Sequence, residues 1–395
     1  MIDILSKVVP IPASALRYKR FFLFGNGGFA QRLAQSFGEN ILGVVDYFNY
    51  RDSFLGGKKY KTFAPSEVGG VVVLGTGNGS YQYNQLKALR PFSDRLDRIY
   101  IIDEYMSKRN IHKCPVEQSI LLLEHADGVI RHEKHLVALK NYCSTQGRQI
   151  VSICPNTLMY YSDYLECPST LIWGGQRELY KSIDLLMRGC SKSFVEYGFF
   201  PQSKHIYLDR LGVNHECSLM TDDLSWVENY HFEKLKNVKA RFLDRFKYRG
   251  GEYVLVPLQV PDDANVVNTS RFVSGMQEFI DYIINYYPSN QRILFKPHPK
   301  DPNKNSYSYH GRDVSELPFL VLLESAIHVH GITSSTLYES VLAGVDVLSE
   351  GVSLLNKHKS RLKSLLAAMV DRQVEIDEID IGDTLKRYSN LLLDV

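Results

Sequence analysis

The 395-residue chain is poor in several features that would settle its class at once. Two tryptophans are present, and the six cysteines (Cys114, Cys143, Cys154, Cys167, Cys190 and Cys217) include no C-x-x-C pair. Cysteines scattered in this way read as small buried hydrophobes, so neither a zinc site nor a disulfide framework is expected. No excess of one charge exists: 46 Lys and Arg stand against 44 Asp and Glu, a net +2. A dedicated nucleic-acid binder carries a large basic surplus, so no nucleic-acid partner is expected. Long apolar runs are missing too, and stretches such as Val71–Leu74 are far too short to cross a bilayer. The opening MIDILSKVVPIP has no basic segment followed by a long apolar one, so no signal peptide is read there. The expectation is a cytoplasmic protein.

What is there is ordinary in bulk. Apolar residues make up 44% and charged ones 23%, which suits a globular protein, and the length suits two or three domains. The 25 tyrosines suit sugar-binding clefts, having an apolar face and a polar tip, but they suit plain cores equally. Short β-type runs recur at Arg20–Phe24, Ile41–Asp46, Val71–Gly75, Ile99–Asp103, Gln149–Cys154, Thr170–Trp173, Ser193–Glu196, His205–Asp209, Tyr253–Leu258, Ile293–Lys296, Ala326–His330 and Val345–Leu348. Helical periodicity fills gaps at Phe29–Phe37, Tyr180–Met187 and Met276–Ile284. Alternation of this kind predicts an α/β protein with doubly wound parallel sheets, and the strand number favours at least two Rossmann-like domains.

A boundary is expected near residues 240–251, where a basic helix (Lys234, Lys236, Lys239, Arg241, Arg245, Lys247, Arg249) runs to Gly250-Gly251. That gives domains 1–250 and 251–395, with a softer break near Asp103–Pro115 setting off 1–112 as a Rossmann-like subdomain. The basic helix reads either as a solvated linker or as a docking face for an anionic membrane surface.

The first strand runs into Gly25-Asn26-Gly27-Gly28-Phe29-Ala30, a G-x-G-x-x-A turn, with Asp46 following 21 positions after Gly25. This is the dinucleotide-binding fingerprint and, alone, would suggest an NAD(P)-dependent oxidoreductase. Tight strand-to-helix turns need glycine without any ligand, however, and Gly75-Thr76-Gly77-Asn78-Gly79 repeats the pattern. A scaffold or acceptor-side unit is the other reading.

The chemistry-bearing residues come later. Trp173-Gly174 ends a strand, Glu196-Tyr197-Gly198-Phe199 and Asp209-Arg210-Leu211-Gly212-Val213 end two more, and then come Lys296-Pro297-His298-Pro299 and Thr333-Ser334-Ser335-Thr336. Open α/β sheets place their ligand crevice at the carboxyl ends of parallel strands. Glu196 and Asp209, thirteen residues apart, are therefore candidates to share one pocket and divide nucleophilic and acid/base work at a sugar carbon. Capping a loop or pairing with an arginine is the alternative for each. Prolines on both sides of His298 hold its imidazole stiffly beside Lys296, as a hydrogen-bond donor to a phosphate or as a structural histidine. The Thr/Ser run opens a helix, where hydroxyls and free N–H groups bind phosphate or, with Thr336 and Glu339, form a capping box. Asp262-Asp263 is the nearest approach to a metal-binding acid pair and sits in a turn-like loop, so no metal is expected.

In order and spacing, the run of Trp173-Gly174, Glu196-x-Gly-Phe, Asp209-x-x-Gly-Val, Lys296-Pro-His-Pro and Ser334-Ser335 resembles the bacterial capsule polysaccharide synthesis family of KpsC and KpsS type. That family includes retaining β-Kdo transferases, and related modules occur in O-antigen enzymes of the WbbB kind. The HP and Ser-Ser motifs are also similar to those of bacterial sialyltransferases. The resemblance covers about residues 170–350 and implies a GT-B-like arrangement with the donor, CMP-β-Kdo, held by the C-terminal domain. It implies Asp209 as nucleophile, Glu196 as acid/base, and His298, Lys296, Thr333, Ser334, Ser335 and Gln259 as CMP-sugar contacts, with no cofactor. A glycan or glycolipid acceptor at the inner membrane's cytoplasmic face would follow. A CMP-sialic acid transferase and a non-catalytic capsule-assembly partner are the rivals. Many relatives carry a second acid where Tyr197 stands, and its absence here weakens a simple single-base inverting mechanism of the sialyltransferase kind.

Overall fold

Runs of β-branched and aliphatic residues, largely buried and separated by helices, build parallel sheets in both halves of the chain. In a computed structural model, residues 2–46, 52–102, 115–124, 131–176, 178–187, 189–261, 263–272 and 274–391 are described. Cys114, Asp262 and the segment 103–114, on which the softer boundary was read, lie outside the described residues. Two compact units form: Met1–Ser193 with Ile379–Val395, and Phe194–Glu378.

In the first unit a six-stranded sheet runs Thr62–Phe63, Ile41–Val45, Phe21–Phe24, Gly70–Leu74, Leu96–Ile102, Val8–Ile11. Every pairing is parallel. Leaving out the edge strand Val8–Ile11, the order is 3-2-1-4-5, that of a Rossmann half. Three further parallel strands, Gln149–Ile153, Ser119–Leu123 and Ser169–Trp173, pair in that order. Ser119–Leu123 was not read from the sequence.

The second unit begins with an antiparallel set, Ser191–Tyr197 on His205–Asp209 on Gln373–Glu375. The expectation that Glu196 and Asp209 end parallel strands is therefore corrected: they lie on the two arms of a hairpin. A five-stranded parallel sheet follows, ordered Asp313–Val314, Ile293–Lys296, Tyr253–Pro257, Ala326–Gly331, Val347–Ser349. This too is 3-2-1-4-5, with its reversal point between Tyr253–Pro257 and Ala326–Gly331. Side chains alternate along the central strand. Val254 and Val256 pack with Phe279, Ile280 and Ile283 of the helix Met276–Tyr286. Leu255 turns to the opposite layer with Leu337, Leu342, Leu365 and Leu366.

The expected division at residue 250 falls inside this unit. The helix Asn229–Phe242 ends eight residues before Gly250 and buries Leu235 and Val238 in the same core as Leu365 and Leu366. Two backbone bonds then tie the following loop down, from the N–H of Arg249 to Glu324 O and of Glu252 to Ser325 O. A basic surface had masked an apolar stripe on the other side of the helix.

Gly198 of the Glu196-x-Gly motif is a packing requirement of the hairpin. Its N–H donates to His205 O at 2.7 Å, and a Cβ there would lie 2.3 Å from the Cβ of His205. Replacing Gly198 by Ala should cost about 1–3 kcal/mol through overpacking, lowering the melting temperature by several degrees in calorimetry.

Candidate functional site

A cavity of about 280 Å³ in the second unit gathers most of the expected residues. Its walls come from loops at the carboxyl ends of three parallel strands and from the hairpin. Gln259 follows Tyr253–Pro257, His298 follows Ile293–Lys296, and Thr333, Ser334 and Ser335 follow Ala326–Gly331. Glu196, Tyr197, Phe199 and Tyr207 close the hairpin side, and Asp263 and Tyr338 also line it. The two strands on either side of the reversal point diverge in their connections, which opens a crevice there by topology alone.

Each donor is held by its neighbours. The buried Gln259 carboxamide accepts from the Thr333 N–H at 2.9 Å, with its Nε2 at 3.5 Å from Thr333 Oγ1. Ser334 caps the helix Ser335–Ala343: its Oγ accepts from the Thr336 N–H at 3.3 Å and the Thr336 hydroxyl at 2.8 Å. The capping box expected of Thr336 and Glu339 is thus not the one formed, and burial pushes the Glu339 carboxyl up to about 7. At His298 the Nδ1 accepts the Lys300 N–H at 3.2 Å. The neutral ring therefore carries its hydrogen on Nε2, and burial, foremost, holds its pKa below the usual 6.5.

On the hairpin, Glu196 is paired in register with Tyr207, and its Oε1 accepts the Tyr197 N–H at 2.9 Å. Tyr207 is fully buried, stacked on Phe199 with ring centroids 4.5 Å apart, and its hydroxyl accepts the Asn214 N–H at 2.8 Å. Burial raises the phenol well above its ordinary range, so it stays neutral. Asp263 caps the helix Ala264–Thr269, one oxygen accepting the Asn265 N–H at 2.9 Å. Two carboxylates, an imidazole N–H, hydroxyls and the start of a helix thus face one small space. Such a set can bind a phosphate or carboxylate and move a proton beside it.

Residues 226–360 match the family model for capsule polysaccharide biosynthesis proteins. The resemblance read from the motifs is met over that stretch, which holds Gln259, Asp263, His298 and the Thr333–Ser335 loop. Within the curated proteins, Protein FixF of Sinorhizobium fredii (strain NBRC 101917 / NGR234) is 27% identical over 186 residues, 43% of this chain and 44% of that protein. The chain spans less than half the length of that relative. Two solved structures are similar: Thermosulfurimonas dismutans KpsC, beta Kdo 2,7 transferase (TM-score 0.48, 18% identity, 67% of this chain and 94% of that one), and its beta Kdo 2,4 transferase (TM-score 0.47, 14% identity, 64% and 90%).

Two expected capsule-family residues lie elsewhere. Lys296 is half-buried at its strand end, outside the cavity lining, and burial lowers its ammonium pKa. Asp209 shares a sheet face with Glu196, since its register partner is Phe194, yet it is fully enclosed. Its carboxylate takes Arg372 Nη1 at 2.8 Å, the Ser218 hydroxyl at 2.7 Å, and the N–H groups of Leu211 at 2.8 Å and Ser218 at 3.0 Å. A carboxylate so occupied has no approach to a sugar carbon. The structure assigns it the alternative role, pairing with an arginine, and puts Asp263 in the cavity where Asp209 was expected.

The Gly25–Ala30 turn of the first unit does open the helix Gly28–Phe37, and Asp46 accepts from Asn26 Nδ2 of that turn at 3.1 Å. Gly75 is required by packing: a Cβ would sit 2.6 Å from Phe24 O. Among the described residues no group of three or more His, Cys, Asp or Glu is placed to hold a metal, and no helix is long and apolar enough to cross a membrane.

Two outcomes follow. Asp209→Ala strands the buried Arg372 charge and should cost about 3–5 kcal/mol, whereas Asp209→Leu with Arg372→Met should recover much of it, both read by urea unfolding. Burial also depresses the pKa values of His205, His298, His328 and His330 in the folded state. Below the ordinary 6.5 the unfolded chain therefore binds more protons than the folded one. Stability is complete above that pH and should fall as pH drops from 6.5 toward 5, checked by thermal melts at constant ionic strength.

Proposed function

We propose that the second unit is a glycosyltransferase site that moves Kdo from CMP-β-Kdo to a capsule or O-antigen glycan, with retention and without a metal. The observation that carries this is the single cavity uniting Glu196, Asp263, His298 and the Ser334-Ser335 helix start. The family match over residues 226–360 supports the setting in capsule synthesis, and the order of the motifs supports the CMP-activated acidic sugar.

The chemistry follows from the groups present. His298 Nε2–H donates to a phosphate oxygen of CMP, and the hydroxyls and N–H groups around Ser334 and Ser335 receive the phosphate or the sugar carboxylate. Gln259 acts as a positioning residue through Thr333. Asp263 attacks the anomeric carbon as the bond to the CMP oxygen breaks, forming a glycosyl ester on the enzyme. An acceptor hydroxyl then attacks the same carbon, Glu196 takes its proton, and the Asp263 carboxylate is released. Two inversions give retention. CMP leaves as a monophosphate and needs no proton, so hydrogen-bond donors suffice for its charge.

A donor screen with CMP-Kdo, CMP-Neu5Ac and NAD tests the reading, with transfer measured by product mass and anomeric configuration by NMR. Turnover and thermal stabilisation with CMP-Kdo are expected; stabilisation by NAD alone would sink the proposal. Asp263→Asn and Glu196→Gln should each lower kcat by about a thousandfold or more with the melting temperature kept, and His298→Ala should lower kcat/KM roughly a hundredfold. A glycosyl adduct mapped to a residue other than Asp263 would remove it as nucleophile.

A further inference from the structure

A second, larger cavity of about 500 Å³ opens on the same unit, between the helices Asn229–Phe242, Ser335–Ala343 and Leu362–Arg372. Its lining divides by chemistry. Phe232, Leu235, Val341, Leu342 and Leu366 make an apolar floor, and Lys236, Lys239 and Lys363 stand exposed around it, with Glu233 the one acid in the lining. Lys363 lies over the Phe232 ring at 4.7 Å, and Lys236 reaches Glu233 at a loose 3.5 Å. Lys239 and Lys363 have no carboxylate at ion-pair distance among the described residues. The segment 229–249 carries seven Lys and Arg against two acids, in a chain whose net charge is only +2. Arg241 and Lys247 extend the exposed basic surface beyond the cavity.

An apolar slot ringed by cations matches an amphiphile with an apolar chain and an anionic head. Three ammonium groups around a hydrocarbon floor repel a basic partner, and they would leave an uncharged apolar partner to desolvate them without return. We propose that this groove is where the protein seats itself on a bilayer, with an anionic phospholipid's phosphate among Lys236, Lys239 and Lys363 and part of its acyl chain against Phe232 and Leu366. Lysine stems cover the apolar wall while their heads meet the phosphates. The helix Ser335–Ala343 opens the transfer cavity at one end and contributes Val341 and Leu342 to the groove at the other. Seven residues of rise, about 10 Å, separate the two. Docking at the groove therefore holds the transfer cavity within a short reach of the leaflet.

The inference stands apart from the transfer reaction, so the experiment uses no sugar donor. The whole protein is sedimented with vesicles of phosphatidylcholine alone and of phosphatidylcholine with an equal share of phosphatidylglycerol. Binding is expected only to the anionic vesicles and should weaken with salt. Reversing Lys236, Lys239 and Lys363 to Glu together should weaken it roughly a hundredfold or more. Val341→Trp, which fills the slot and keeps the lysines, should weaken it several-fold, with circular dichroism confirming the fold of both variants. Equal binding to neutral vesicles, no binding to either kind, or full binding by the triple variant overturns the proposal; full binding by Val341→Trp overturns the seating of the chain in the slot.

Discussion

The buried pair between Asp209 and Arg372 ties the second unit together. Arg372 closes the helix Leu362–Arg372, Asp209 ends a hairpin arm, and Ser218 gives its N–H and hydroxyl to the same carboxylate. Arg372 also reaches Asp222 at 3.6 Å, whose oxygens hold the Trp226 indole N–H. Two stretches 163 residues apart, the end of the hairpin with its following turn and the end of the helix Leu362–Arg372, are thus pinned by one desolvated ion pair that neither can leave alone. The hairpin that presents Glu196 has one arm anchored in this knot. Its other anchor is Gln373, whose side chain takes the N–H groups of Phe199 and Phe200 at 3.0 and 3.1 Å.

With the hairpin fixed, the rest of the cavity is a matter of topology. A 3-2-1-4-5 sheet leaves its strand ends uncovered at the reversal, and the residues found there come from three separate loops. Each of those loops is braced near its strand end: Gln259 and Thr333 tie two of them together, Ser334 is held by Thr336, and His298 by the Lys300 N–H. Preorganised donors of this kind lose little when charge arrives beside them.

Much of this was legible from the chain. All twelve β-runs read from it overlap strands, most of them parallel and largely buried, which write themselves as short aliphatic blocks. Ser119–Leu123 escaped for the same reason: five buried residues in a row show no alternation, and nothing in them separates a strand from a buried helical turn. The site divided differently. His298, Gln259 and the Thr333–Ser335 loop follow strands directly, so their placement is local information. Asp209 is indistinguishable in sequence from a ligand-facing acid, since its partner Arg372 lies 163 residues away. Asp263 was read only as half of an acid pair in a turn-like loop, whereas it caps the helix Ala264–Thr269 and lines the cavity as well. The break read after the helix Asn229–Phe242 falls inside the second unit, because the exposed lysines of that helix are conspicuous in sequence while Leu235 and Val238 are not.

The bond from the Lys300 N–H to His298 has a consequence for selectivity. With Nδ1 spoken for, the imidazole presents a hydrogen at the cavity and never a lone pair. It works as a one-way gate: an oxygen of a phosphate or carboxylate is met by a proton, while an ammonium brought to the same point sets hydrogen against hydrogen. Refusal of the wrong charge at that position is thus written into a backbone amide two residues along the chain, out of reach of any side-chain substitution except proline.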